Sequence, residues 1–499
     1  MQPVELEYLE MLQESLAGYL LPELVLCLGI VLLLVISFFK PTGRVVAAIT
    51  AAVILIHFSI VYYGLVEIGV VSAALVSLSA DEGTTNTSFF SVDALSLFFK
   101  GMLSIGALLA TMISRKQRME YFLLILAILL GAGLLVISRH YIMILLSVEI
   151  ISISSYILVA GAEIDKRRAE AAWKLFLYGS TATAAMIFGM TYLYGATGTP
   201  SLPHDIISGD PVTLSIGGLM LLTGLFFKMT VAPFHLWAPD VYEATPSPIV
   251  AYLSVVPKLA ALVVVLKFVR AMPVHPIDWT IVVAGFAILS IAIGTLAALA
   301  QKDAKRMMAY STVAQAGFLL TAIASFNHAS ADAQYSLGFY ALVFLVMNYV
   351  VFMVIQLKEE SGGSVLFEDF AGIGYSAALP AVAITIAFVS LTGLPPVAGF
   401  TAKLLVFSTL WAKIQAAHTF IFIALFVLGL LATVASLFFY LRIPFFMFFR
   451  QSAQKEPLKI SRFTNLLLLT LVGLLFALFL FPSLFDRLGG WVIKVNFVL

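Results

Sequence analysis

This chain of 499 residues contains one cysteine, Cys27. A lone cysteine excludes an intrachain disulfide, a cysteine-built zinc site and a cysteine-bound iron–sulfur cluster within the chain. Cys27 falls inside the first apolar run and reads as a small buried hydrophobe. Charge is also scarce. Asp, Glu, Lys and Arg make up 11% of the residues, about half the fraction usual in soluble domains. The net charge of +1 offers no basic face for nucleic acid. Glycine-rich phosphate loops, His-Glu-x-x-His pairs and nucleophile elbows are absent in any credible context, so no cofactor bound by this chain is expected. The acidic start (Glu5, Glu7, Glu10, Glu14) argues against a cleaved signal peptide.

What the sequence has in plenty is hydrophobic length: 62% of the residues are apolar. Runs of roughly twenty such residues, each able to cross about 30 Å of hydrocarbon, recur from end to end. They lie near 20–39, 45–66, 91–114, 119–138, 140–160, 169–193, 213–234, 247–270, 279–300, 305–326, 335–357, 378–411, 419–448 and 463–482. An all-α integral membrane protein of about fourteen transmembrane helices is therefore expected. The stretches 378–411 and 419–448 exceed one crossing and must tilt, break or protrude. Lys and Arg gather in alternate loops: Lys40 and Arg44; Arg115, Lys116 and Arg118; Lys166, Arg167 and Arg168; Lys302, Lys305 and Arg306; Lys358; Arg450, Lys455, Lys459 and Arg462. The other loops hold few cations (Arg139, Arg270, Lys413) beside Asp81, Glu82, Asp205 and Asp210. The positive-inside rule puts the cation-rich loops in the cytoplasm and both termini outside.

Two spans carry helix breakers. The seventh reads Lys228-Met-Thr-Val-Ala-Pro233-Phe-His235-Leu-Trp237-Ala-Pro239-Asp240, and the twelfth Leu391-Thr-Gly393-Leu-Pro395-Pro396-Val-Ala-Gly399-Phe-Thr-Ala-Lys403. Proline removes an N–H and clashes with the preceding turn, and the freed carbonyls need protein or water around them. Two breaks, each with a lysine nearby, favour an ion path over plain packing kinks. Being five helices apart, they fit two five-helix repeats inverted in the membrane. The expected division is 1–115 (three helices), 116–272 (first repeat), 273–450 (second, inverted repeat) and 451–499 (last helix and tail).

The charges inside the spans are few. Glu149 lies about 15 Å into the fifth span, at 1.5 Å per residue, and Lys258 is similarly deep in the eighth. Lys228 and Lys403 adjoin the breaks. Each central charge costs about 2.5–3.5 kcal/mol on insertion scales. A Glu149–Lys228 salt bridge would compensate two of them and leave Lys258 and Lys403 without an acid. Lysines whose partners change can load and release protons, which arginine cannot do. His235 reads either as part of such a relay or as a hydrogen-bonded core histidine. Lys174 sits nearer a span end and can snorkel. His57, Lys100 and Asp93 read as structural.

These residues resemble the antiporter-like membrane subunits of respiratory complex I, subunit N above all. The resemblance runs over nearly the whole chain from about residue 20. Its most specific segment is Pro233-Phe-His235-Leu-Trp237-Ala-Pro239-Asp240-Val-Tyr-Glu243, continuing through Pro246, Pro248 and Lys258. Further matches are Gly161-Ala-Glu163, Glu170-Ala-Ala-Trp-Lys174, Asp303-Ala-Lys305-Arg306 and Gly393-Leu-Pro-Pro396-Val-Ala-Gly399. The resemblance implies a glutamate–lysine pair (Glu149, Lys228), a central lysine (Lys258), an exit lysine (Lys403) and a modulating lysine (Lys174). It also implies a bacterial inner-membrane pump driven by quinone reduction elsewhere, with NADH, FMN, iron–sulfur and quinone sites in partner subunits. Other membrane subunits and lipid are the implied neighbours. Two alternatives stand: a subunit of a cation/proton antiporter or membrane-bound hydrogenase, disfavoured by the Asp240–Glu243 segment, and a solitary secondary transporter, which would need a polar substrate pocket at the breaks.

Overall fold

The structure, a computed structural model, describes the chain apart from residues 1–2, 76–84, 87–88, 115–117, 162–164, 203–209, 273–276, 327–331, 363, 451–459 and 486–499, and only the backbone at 3–19, 67–75 and 85–86. Arg115, Lys116, Lys455, Lys459, Asp81, Glu82, Asp205, Glu163 and both chain ends lie outside the described residues, as do the side chains of the N-terminal glutamates.

The helices run in the order α1 (Pro3–Ser37), α2 (Gly43–Leu75), α3 (Ala94–Ile113), α4 (Met119–Ile137), α5 (Tyr141–Ala160), α6 (Lys166–Thr197), α7 (Pro211–Met229), the short α8 (Ala238–Ala244), α9 (Ser247–Ala271), α10 (Trp279–Ala300), α11 (Ala304–Ala324) and α12 (Asp332–Glu360). A single turn, α13 (Ile373–Ser376), leads to α14 (Ala378–Thr392), α15 (Ala398–Ala417), α16 (Phe420–Tyr440), α17 (Arg442–Phe449), α18 (Arg462–Leu480) and α19 (Ser483–Phe485). The eighth span is thus α9. One departure from an all-helical chain is a two-residue strand pair, Thr85–Asn86 against Ser91–Val92.

Among the described residues, twelve helices are long and apolar enough to cross a membrane, against about fourteen expected stretches. The difference has physical causes. Helix α6 is long enough but opens on Lys166, Arg167, Arg168, Glu170 and Lys174, which dilute its hydrophobicity. The stretch 378–411 is divided between α14 and α15, and α14, at 15 residues, is short for a crossing.

Local chemistry sets the ends. Helices α3, α6, α7, α10 and α11 open on Asp93, Asp165, Asp210, Asp278 and Asp303, whose side chains accept backbone N–H groups of the first turn. Burial pushes the Asp303 carboxyl up, and the bond from the Arg306 N–H opposes it. Helix α6 stops at Gly198 in the left-handed conformation (φ 70°).

Helices α9 and α12 are buried along their whole span and α11 nearly so, while α1, α16 and α18 face outward. Cys27 lies on the exposed face of α1. This corrects the expectation of a buried thiol: an edge helix turns half its apolar surface to lipid, so an apolar run does not imply an interior.

Candidate functional site

Helix α7 ends where Thr230 turns left-handed (φ 58°, ψ 36°), its N–H bonding Phe226 and Phe227 carbonyls. The chain then passes through Pro233, preceded by a cis bond, to α8. The Ala232 N–H, released from the helix, donates to Ser290 Oγ of α10 at 3.0 Å. The other interruption has the same shape. Helix α14 ends at left-handed Gly393 (φ 83°, ψ 40°), and Pro395 and Pro396, joined by a cis bond, precede α15. The Gly399 N–H donates to Ser390 Oγ at 3.0 Å. A Cβ on Gly399 would stand 1.7 Å from the Ser390 carbonyl oxygen, so only glycine permits this close approach.

Each interruption is met by a buried lysine. Lys258 of α9 donates to Thr230 Oγ1 (2.8 Å) and to the Thr312 carbonyl of α11 (3.1 Å). Lys403 of α15 donates to the Thr392 carbonyl (2.9 Å) and, at 3.4 Å, to Thr433 Oγ1 of α16. Lys228 donates to Ser152 Oγ of α5 at 2.6 Å. All three lysines are buried, and among the described residues none has a carboxylate within ion-pair distance. Their ammonium protons are bonded to hydroxyls and carbonyls, which suit a group that exchanges protons more than one locked to an acid.

Glu149 accepts from Thr183 Oγ1 of α6 at 2.8 Å and does not pair with Lys228. It is half-buried. The cause is its face of the bundle. Helices α5 and α6 turn Ile142, Leu146, Ile153, Trp173 and Phe188 outward, so Glu149 borders surface that only another chain or lipid can cover.

Between Lys258 and Lys403 lies a polar link that the sequence reading missed. Gln315 Nε2 of α11 donates to the Leu391 carbonyl (3.3 Å) and to the Tyr440 hydroxyl (3.2 Å). The Tyr340 hydroxyl donates to Gln315 Oε1. Ser311 Oγ lies 2.5 Å from the Tyr440 hydroxyl. Ser311, Thr312 and Gln315 form a polar patch within the buried part of α11, a pattern that was available as a signal.

Two other residues stand apart. Lys174 Nζ is 2.7 Å from Asp240 and 2.8 Å from Glu170, with 39% of its side chain exposed. Through Asp240 it joins Arg306 (3.1 Å), which also pairs with Glu243 at 2.5 Å. Neighbouring Lys305 pairs with Glu359 at 2.6 Å and donates to the Thr245 carbonyl. This ionic cluster grips α8, the segment following the first break. His235 is buried within that break, its ring 6.2 Å from that of Tyr310. Its Nδ1 has no hydrogen-bond partner among the described residues, and nothing there bonds it to the lysines. Pro233, Pro395 and Pro396 occupy the interruptions themselves.

Comparison with known proteins gives this geometry a setting. The family described as NADH:quinone oxidoreductase/Mrp antiporter, transmembrane, matches residues 138–432. NADH-quinone oxidoreductase subunit N 2 of Chloroherpeton thalassium is 35% identical over 422 residues, covering 79% of this chain and 80% of the relative. Subunit N of Chlorobium chlorochromatii is 33% identical over 417 residues, with the same shares. A chain in the structure of respiratory complex I from Thermus thermophilus with bound aureothin matches with a TM-score of 0.77 at 28% identity, over 94% of this chain and 99% of that one. A chain of an archaeal membrane-bound sulfane sulfur reductase shares the fold, with a TM-score of 0.81 at 22% identity over 96% of this chain and 99% of that one.

Proposed function

Since the chain belongs to the NADH-quinone oxidoreductase subunit N family of multi-pass membrane proteins, we propose that it is an antiporter-like subunit of a proton-pumping oxidoreductase. It passes protons along Glu149, Lys228, Lys258 and Lys403, driven by quinone reduction in another subunit. The observation that carries this reading is the repeated motif of a broken helix and a buried, acid-free lysine: Thr230 with Lys258, and Thr392 with Lys403.

The chemistry proposed for each group follows from its bonds. Glu149 and Lys228 sit on adjoining helices with separate hydroxyl partners, Thr183 and Ser152. Closing that pair would favour the charged lysine and opening it the neutral one. A proton released from Lys228 would pass to Lys258. It would then move by the hydroxyls and amide of Ser311, Gln315 and Tyr440 toward Lys403, which exchanges it with the exit side. Lys174 modulates through its pair with Asp240, at the end of the segment that follows the first break, and His235 acts as a local proton acceptor beside the line.

The proposed architecture has fourteen crossings: the twelve apolar helices, α6, and the broken α14–α15. The seventh (α7–α8) and twelfth (α14–α15) are discontinuous. Two inverted five-helix repeats occupy 116–272 and 273–450, with 1–115 and 451–499 flanking them. In that pairing α9 corresponds to α16: Lys258 of α9 donates to Thr230 at the first break, and Thr433 of α16 accepts from Lys403, the lysine that meets the second. Both termini face the periplasm of the bacterial inner membrane, with the cation-rich loops inside.

The redox groups belong to partner chains. This chain's donor set does not fit an iron–sulfur cluster, because its single cysteine faces outward and no three His, Cys, Asp or Glu residues converge among the described residues. NADH, FMN and quinone are likewise assigned to partners. A half-buried carboxylate on the outer face of α5 is costly against lipid, which supports a neighbouring membrane subunit over that face.

The test is proton pumping by the assembled complex carrying Glu149→Ala or Lys403→Ala. Either variant should insert and assemble yet lose quinone-coupled pumping, by roughly the 10²-fold at the low end of what a positioned proton-transfer group contributes. Normal pumping in both would defeat the reading.

A further inference from the structure

A second cluster of buried ionisable groups lies in helices α1 to α3, on elements that the proposed line does not use. Lys100 Nζ of α3 is 2.5 Å from Glu23 Oε1 of α1, and both side chains are almost wholly buried. One turn along α3 from Lys100, Ser104 Oγ lies 2.9 Å from His57 Nδ1 of α2, and His57 is 1% exposed. Helix α4 makes room for the carboxylate: a Cβ on Gly133 would stand 3.1 Å from Glu23 Oε1.

A purely structural pair would be expected to saturate its hydrogen bonds, since unmet polar groups in a low-dielectric interior are expensive. Here Glu23 Oε2 and His57 Nε2 have no hydrogen-bond partner among the described residues. Three ionisable side chains converging from three helices thus keep hydrogen-bonding capacity that their neighbours do not use. The cluster also has polar continuations toward both ends of the bundle. Toward one end, Ser96 lies one turn from Lys100 on the same face of α3 and donates to the Val136 carbonyl at 3.3 Å. Lys267 of α9 donates to that same carbonyl at 2.7 Å and to Ser91 O at 3.2 Å, beside the capping Asp93. Toward the other end, the same face of α3 continues through Thr111 to Ser114. Both line a cavity of about 720 Å³ shared with Arg44, Gln356, Glu360 and Thr464.

We propose that Glu23, His57 and Lys100 form a second proton-holding site, enclosed by α1–α4 and separate from the line of Lys228, Lys258 and Lys403. The site takes up one proton from water: the Glu23 carboxylate becomes a carboxylic acid while Lys100 stays an ammonium. Release reverses the step. The ionisable groups around it are Glu23 on α1, His57 on α2 and Lys100 on α3, with Lys267 and Asp93 toward one end. Cys27, one turn from Glu23, is on the exposed face. Helix α4 contributes only the space at Gly133. None of the cluster's atoms is hydrogen-bonded to the Lys228–Lys403 line among the described residues, so the site can exist whether or not that line conducts.

The test is infrared difference spectroscopy of the whole complex, comparing the oxidised enzyme with the NADH-reduced enzyme in H₂O and in D₂O. A carboxylic-acid C=O band that shifts in D₂O is expected. It should vanish in Glu23→Gln, change frequency in Glu23→Asp and persist in Glu149→Gln. The double variant Glu23→Gln/Lys100→Gln removes both charges together, so it keeps the test alive if the single change blocks assembly, and it too should lack the band. A spectrum of assembled Glu23 variants superimposable on that of the native complex would overturn the proposal and leave a structural ion pair.

Discussion

The two helix interruptions look alike along the chain and are supported differently in space. At the first, help comes from outside the broken helix: Lys258 from α9 binds Thr230, and Ser290 from α10 receives the Ala232 N–H. At the second, most of the help comes from within: Lys403 and Gly399, both on α15, close back on Thr392 and Ser390 of α14, and Gln315 of α11 adds one bond to the Leu391 carbonyl. The first break therefore depends on how its neighbours pack, while the second is nearly self-contained and rests on a glycine that admits no substitute. A break held by neighbours can respond to them, which suits an entry point governed by the adjoining Glu149 face. A self-supporting break suits a fixed exit.

The largest effect should come from spoiling the self-contained break. Gly399→Ala puts a methyl group into the Ser390 carbonyl, and overpacking of this kind costs about 1–3 kcal/mol. The variant should assemble poorly, with thermal unfolding in detergent as the readout; native stability would show that α14 and α15 do not close as described. Next comes Ser290→Ala, which leaves the Ala232 N–H unmet at a cost of about 1–2 kcal/mol. It should loosen only the first break, seen as faster amide hydrogen exchange over 230–237 with 393–397 unchanged. Equal acceleration at both sites would erase the distinction. The smallest change is Thr433→Val, since its bond to Lys403 is long at 3.4 Å. Pumping should fall by no more than about twofold, corresponding to under about 1 kcal/mol, as measured with a pH-sensitive dye in vesicles.

How much of this was readable along the chain depends on how local each feature is. The breaks were legible because proline and glycine act on their own backbone, and Lys228, Lys258 and Lys403 stood out against apolar surroundings. Their partners were not. That Lys228 meets Ser152 and not Glu149 depends on how α5 and α7 rotate against each other, and nothing in either segment fixes that angle. Lys100 read as structural because its acid, Glu23, belongs to a distant helix, and nothing in either segment points to the other. Cys27 was assigned to an interior that its edge helix does not provide.

Lys258 joins the first break to α11 and is wholly buried. Lys258→Met keeps an unbranched apolar stem and removes the exchangeable amine. The decisive measurement is the ratio of protons pumped to quinone reduced by the reconstituted complex carrying this change. A proton path through Lys258 predicts a lower ratio with the enzyme assembled, and an unchanged ratio would contradict it.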